Sequence, residues 1–191
     1  MAIRNILKDE DPGLTKKSRE IDNFDNRLHI LLDDMRETLI DANGLGLAAP
    51  QVGVLRRAIL IVDSNLGSAL PEEPTEEQIY NQYNEQIIEL INPEIIKKEG
   101  EQTGNEGCLS VPGVYGIVTR PETVLVKAQN RDGESALLEV SEIAARAVCH
   151  EIDHLDGVIF TTIAERILTE EELEEMAMQN AHNENLEREK L

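Results

Sequence analysis

The chain has 191 residues, enough for one compact domain that buries its own core. It carries 38 acidic against 18 basic side chains, a formal net charge of -20 that repels phosphate backbones and anionic lipid, so neither direct nucleic-acid binding nor membrane association is expected. Two cysteines, Cys108 and Cys149, make no disulfide scaffold, residues 1–5 carry no apolar signal segment, and no apolar run nears the roughly 18 residues of a membrane helix, so a cytoplasmic setting is expected.

Residues 1–22 read as an irregular arm with turn chemistry at Asp11-Pro12-Gly13. Leu28, Leu31, Leu32, Met35 and Leu39 recur at helical spacing and predict an amphipathic helix over 24–42, closed by Asn43-Gly44. Residues 44–51 form a small-residue loop, and 57–63 a buried strand rich in β-branched side chains. The polar stretch 64–86 reads as a surface insertion with one helical turn near Glu76 to Tyr83. Short strands are predicted at 87–91, 94–99, 104–109, 114–119, 122–129 and 135–140, with turns at Asn92-Pro93 and Arg131-Asp132-Gly133. Their short links favour antiparallel pairing. Ser141 is the expected N-cap of a helix that stops at Gly157, and a last, acidic helix is expected from Thr169. The expected fold is α+β: short, mostly antiparallel strands around a central helix, an N-terminal helix, and an acidic C-terminal helix. Residues 1–168 form the expected catalytic domain and 169–191 the acidic helix and tail.

The central helix carries His150-Glu151-Ile152-Asp153-His154, an H-E-x-x-H motif. Four residues is just over one helical turn, so both imidazoles leave the same face and can hold one metal ion. Glu151 is turned by about 100° and reaches a water on that metal without ligating it. The chemistry is hydrolytic: the ion acidifies its water and polarises a carbonyl, and a carboxylate moves the proton. Ala144, Ala145, Ala147, Val148, Cys149, Ile152 and Leu155 make the helix apolar on most sides, so the histidines are not superficial.

A third ligand is needed. A histidine ten residues after His150 is excluded, because that position is Phe160. A downstream carboxylate, Glu174 by spacing, would make a zinc endopeptidase. Cys108, beside glycine in Glu106-Gly107-Cys108-Leu109-Ser110, would suit iron or zinc. Cys149 adjoins His150 but points away on the helix and reads as core.

Gly44-Leu45-Gly46-Leu47-Ala48-Ala49-Pro50-Gln51, Glu106-Gly107-Cys108-Leu109-Ser110 and the H-E-x-x-H segment, in this order, closely resemble the three signatures of peptide deformylase, over about residues 1–165. The resemblance implies removal of the formyl group from nascent polypeptides that begin with formylmethionine. It implies Fe2+ as the ion, replaceable by Zn2+, Ni2+ or Co2+, with Cys108, His150 and His154 as ligands. Glu151 would be base and acid, and Gln51 and the Leu109 backbone N–H would hold the oxyanion. Gly46 would pair by backbone with the substrate, and Leu45, Ile143, Arg146 and Ala147 would line the methionine pocket, Arg146 through its stem. Glu106 would orient a site group, with Arg120 as its ion-pair partner.

The sequence departs from better-known members in three places. The 64–86 segment is longer than in the shortest forms, and Tyr115 stands where some relatives carry a substrate-facing arginine. Some members dock a basic C-terminal helix on the ribosome. Here Glu170, Glu171, Glu172, Glu174 and Glu175 oppose only Arg188 and Lys190, so that docking mode is expected to be absent even if the protein works near the ribosome.

Overall fold

The computed structural model describes residues 2–71, 73–175 and 178. A five-stranded antiparallel sheet has the order β1 (Gly46–Ala48), β2 (Ala58–Val62), β3 (Ile87–Glu99), β6 (Thr123–Gln129) and β7 (Ser135–Ser141). A three-stranded antiparallel sheet joins β4 (Gln102–Cys108), β5 (Val111–Arg120) and the short β8 (Arg166–Ile167). The expected α+β class with antiparallel strands is present.

The larger sheet has a helix on each face. Ala58, Leu60 and Val62 of β2 join the core built on α1 (Asn26–Asp41), while Ile59 and Ile61 join the one built on α3 (Glu142–Leu155). This two-sided covering is why β2 is apolar at every position instead of alternating. A smaller core of Leu14, Val111, Val118, Ile159 and Phe160 lies under the three-stranded sheet. Asp25 caps α1 by accepting from the Arg27 and Leu28 amides.

Three local expectations need correction. The 64–86 segment contains more than one helical turn: α2 (Glu76–Gln86) is a full helix opened by a reciprocal Thr75–Gln78 capping box. The strands expected at 87–91 and 94–99 are one strand, β3, with a register shift between Ile91 and Glu94. Asn92 takes a left-handed φ of 50° there, and its side chain binds the Ile21 amide and carbonyl, so the bend is absorbed without ending the strand. Ser141 stands at the N-cap position as expected but makes no side-chain cap bond; its hydroxyl pairs with that of Thr123 across the sheet.

Gly157 ends the third helix as expected, at φ 77°. A Cβ there would also lie 2.6 Å from the Thr15 carbonyl oxygen, so the position needs glycine twice over. Residues 170–175 are helical; most of the remaining acidic C-terminal segment lies outside the described residues. No helix among the described residues is long and apolar enough to cross a membrane.

Candidate active site

The helix α3 is apolar toward the larger sheet and turns His150 and His154 toward the β4–β5 hairpin, with Glu151 against Gly46 of β1. The rings of His150 and His154 lie 5.0 Å apart at 77°. The hairpin supplies Cys108 at an irregularity, where Gly107–Tyr115 pairing gives way to Cys108–Val111. The sulfur and the two imidazoles offer ligand atoms all within 4.8 Å of one another, with Cys108 Sγ 3.1 Å from His154 Nε2. The three ligand residues named from sequence therefore converge. Glu174 is exposed, and no downstream carboxylate joins this cluster among the described residues.

Two donors also face the sulfur: the Ser110 amide at 3.4 Å and Gln51 Nε2 at 3.6 Å. Gln51 sits on the 3-10 turn Ala49–Val52 just after β1. Its Oε1 accepts from the Ala48 amide at 2.8 Å, so its nitrogen is the end that looks into the site, where it also donates to Ser110 Oγ at 3.2 Å. Ser110 and the Ala48 amide were not legible as site groups, because neither residue type signals chemistry by itself.

Behind His150 lies a buried ionic cluster. Glu106 takes two hydrogen bonds from Arg120, at 2.8 and 3.0 Å, one from Arg146 at 2.9 Å, and contacts His150 Nδ1 at 3.1 Å. Arg120 also donates to Asp153 at 2.6 Å. Burial would raise the Glu106 pKa, but hydrogen bonds from His150 and Arg120 outweigh it and hold the carboxyl at about 2. With Nδ1 engaged, Nε2 of His150 is the nitrogen left for a ligand. Burial disfavours charge on His150 too, yet hydrogen bonds to Cys108 and Glu106 and the charge of Glu151 push it up to about 10, so a cation at Nε2 would have to take the place of that proton. His154 is pushed down to about 3 by burial and by repulsion from His150 and Arg120, so its imidazole is neutral and can offer a lone pair.

Glu151 is buried, and its Oε2 has no hydrogen-bond partner. Desolvation raises it to about 7 against the pull of His150. Its Oε1 would collide with any side chain on Gly46. A thiol and two buried imidazoles converging within 4.8 Å form a soft donor set that a divalent cation would complete, and the unpartnered Oε2 of Glu151 lies beside it for a water on that ion.

The site opens into a cleft of about 660 Å³. Leu45, Gly46, Gln51, Leu109, Ile143, Arg146 and Ala147, all named from sequence, lie on its wall with Tyr115. Leu45 and Ile143 are each 53% exposed, so they form the rim and not the floor. The Arg146 head is turned away, bonded to Glu106 and to the carbonyls of Gln102 and Val118, so its stem faces the cleft.

The N-terminal arm has a site role that its irregular sequence did not signal. The Leu7 amide donates to the Gln51 carbonyl, the Asp9 amide to that of Ser110, and Lys8 Nζ to that of Leu109. The arm thus ties the Gln51 turn to the Cys108 hairpin.

The chain is similar in sequence and fold to known proteins. The family model described as "Polypeptide deformylase" matches residues 3–169. A peptide deformylase of Caldicellulosiruptor bescii is 50% identical over 175 residues, covering 92% of this chain and 93% of that protein. The crystal structure of a peptide deformylase from Legionella pneumophila superposes with a TM-score of 0.73 at 35% identity, covering 94% of this chain and 98% of that one. That of the Thermotoga maritima peptide deformylase gives a TM-score of 0.73 at 31% identity, covering 87% and 100%.

Proposed function

Because the chain belongs to the peptide deformylase family, whose enzymes remove the formyl group from N-formylmethionine peptides, we propose the following division of labour among its residues. The reaction is hydrolysis: water adds to the formyl carbon, the C–N bond breaks, and formate leaves the free α-amine of methionine. The observation that carries the reading is the meeting of a thiol, two imidazoles and a buried carboxylate at one end of a cleft.

A divalent ion held by Cys108, His150 and His154, Fe2+ by preference with Zn2+, Ni2+ or Co2+ as substitutes, would polarise the formyl oxygen and acidify the attacking water. Glu151 takes the water's proton and returns it to the leaving amine. Gln51 Nε2 and the Leu109 N–H donate to the oxygen that becomes negative; the Ala48 amide keeps the Gln51 nitrogen aimed that way. Glu106, itself held by Arg120 and Arg146, fixes the His150 ring.

The substrate backbone lies along β1 at Gly46. Leu45, Ile143, Ala147 and the stem of Arg146 flank its methionine side chain. An endopeptidase that uses Glu174 is disfavoured by the exposure of that residue. We assign residues 1–168 to catalysis and read 169–191 as an acidic appendage that does not dock on ribosomal RNA. Nascent chains as substrates place the work in the cytoplasm.

The test is deformylation of a formyl-methionyl peptide by protein purified without oxygen and assayed for bound metal. Glu151→Gln should retain metal and lose about 10²–10⁴-fold in kcat. A Glu151→Gln variant at full rate sinks the mechanism.

A further inference from the structure

The inserted segment 64–86 touches the wall of the substrate cleft from behind: Gly44 lines the cleft, and Tyr83 holds its carbonyl. Tyr83, on α2, is half buried against the α1–β2 core, and its hydroxyl donates to the carbonyl of Gly44. Burial pushes its phenol up to about 12, so it stays a donor across the physiological range. The helix α2 is itself fixed to α1: Arg36 donates to the Asn84 carbonyl at 2.8 Å and side chain at 3.0 Å, and the Tyr80 hydroxyl donates to Glu37 at 3.1 Å.

Gly44 is the hinge between α1 and β1. Its amide donates to the Leu39 carbonyl in the last turn of α1. It also abuts the oxyanion side of the site, because a Cβ on it would lie 2.8 Å from Leu109 Cδ1. Two residues on comes Gly46. The sheet begins at β1, so one edge of that strand has no sheet neighbour. The Val62 amide donates to the Leu45 carbonyl, which turns Leu45 toward β2 and, by strand alternation, turns the Gly46 backbone groups toward the open edge. Tyr83 thus secures the segment whose next residues offer that edge.

We propose that Tyr83 is a positioning residue for substrate: by anchoring the Gly44 carbonyl it holds the free edge of β1, at Gly46, where the formyl-peptide backbone pairs. This rests on the deformylase reading above. The inserted helix is then part of the substrate platform, acting on how the peptide lies and not on the chemical step. It makes no contact with the reacting atoms.

The test compares wild type with Tyr83→Phe, which keeps the ring and deletes the donor, on formyl-Met-Ala-Ser and on the shorter formyl-methionine amide. Tyr83→Phe should raise KM for the tripeptide by about two- to tenfold, the range that one lost hydrogen bond yields, with kcat unchanged. The shorter substrate offers fewer backbone groups to β1 and should be affected less. The ratio of kcat/KM for the two substrates cancels any loss of folded enzyme, so the test stands even if the variant melts earlier. An unchanged ratio overturns the proposal, as does a fall in kcat at constant KM. A wild type inactive on both substrates would instead overturn the functional reading.

Discussion

A side chain on Gly46 would strike Glu151: a Cβ built there lies 2.8 Å from the glutamate Cγ and 2.9 Å from its Cδ. The glycine proposed to offer backbone to a substrate also makes room for the proposed base. Gly46→Ala should therefore displace Glu151 and lower kcat by about 10²-fold, the cost of moving a reacting group by an ångström, with bound metal unchanged. Steady-state kinetics beside metal analysis checks this; an alanine variant with normal kcat would show that Glu151 has slack.

Removing the sulfur tests the ligand set. Cys108→Ala should lose both stoichiometric metal and deformylation, whereas Glu174→Gln should keep both. A chelator should lower the melting temperature of wild type and leave that of Cys108→Ala where it is, because only the first has metal to lose. Retained metal in Cys108→Ala would end the Cys/His/His assignment.

Glu106 supports His150 from behind. Glu106→Gln keeps the shape but leaves Arg120 and Arg146 short of a charge partner, and it weakens the hold on the imidazole. Metal affinity should fall by about 10–100-fold, measured by competition with a chromophoric chelator. Equal affinity in the variant would reduce the cluster to a purely structural one.

Far from the site, Glu89 joins Arg36 of α1 to Arg131 of the β6–β7 turn, at 2.9 and 2.7 Å. Burial would raise its pKa, but hydrogen bonds from Arg131 and Arg36 win and lower it below the ordinary 4.5. A carboxyl depressed on folding contributes stability that is present above its unfolded pKa and lost as pH falls through the folded value. Urea unfolding at neutral pH and at pH values below 4.5 should show this loss in wild type. Glu89→Gln should be less stable by about 1–3 kcal/mol at neutral pH and lose less on acidification. Parallel pH profiles for the two proteins would rule the contribution out.

Much of the molecule was legible in residue order. Helical spacing located α1 and α3, and a β-branched run located β2, because burying one face or both is a local demand on side-chain type. The misreadings have physical causes. Asn92-Pro93 is turn chemistry, but here the asparagine side chain binds the Ile21 backbone and carries the strand through the bend. Ser141 has the composition of a cap, but a cross-strand hydroxyl claimed it. The second helix was underestimated because it buries none of its residues fully and so shows no apolar stripe; Thr75 and Gln78 were its signal.

By itself the sequence determined the family and named the residues on which the proposed chemistry rests. Two imidazoles one turn apart, a carboxylate beside them, a cysteine after a glycine and an amide at the end of a small-residue loop are properties of residue type and short spacing. Tertiary structure decided what lies between them. Cys108 reaches His154 only because a hairpin irregularity turns its sulfur inward. Gln51 presents nitrogen because the Ala48 amide takes its oxygen. Gly46 is a requirement of Glu151, some hundred residues away along the chain, and no local pattern can state it, because the constraint is a shared volume that exists only once β1 has packed on α3.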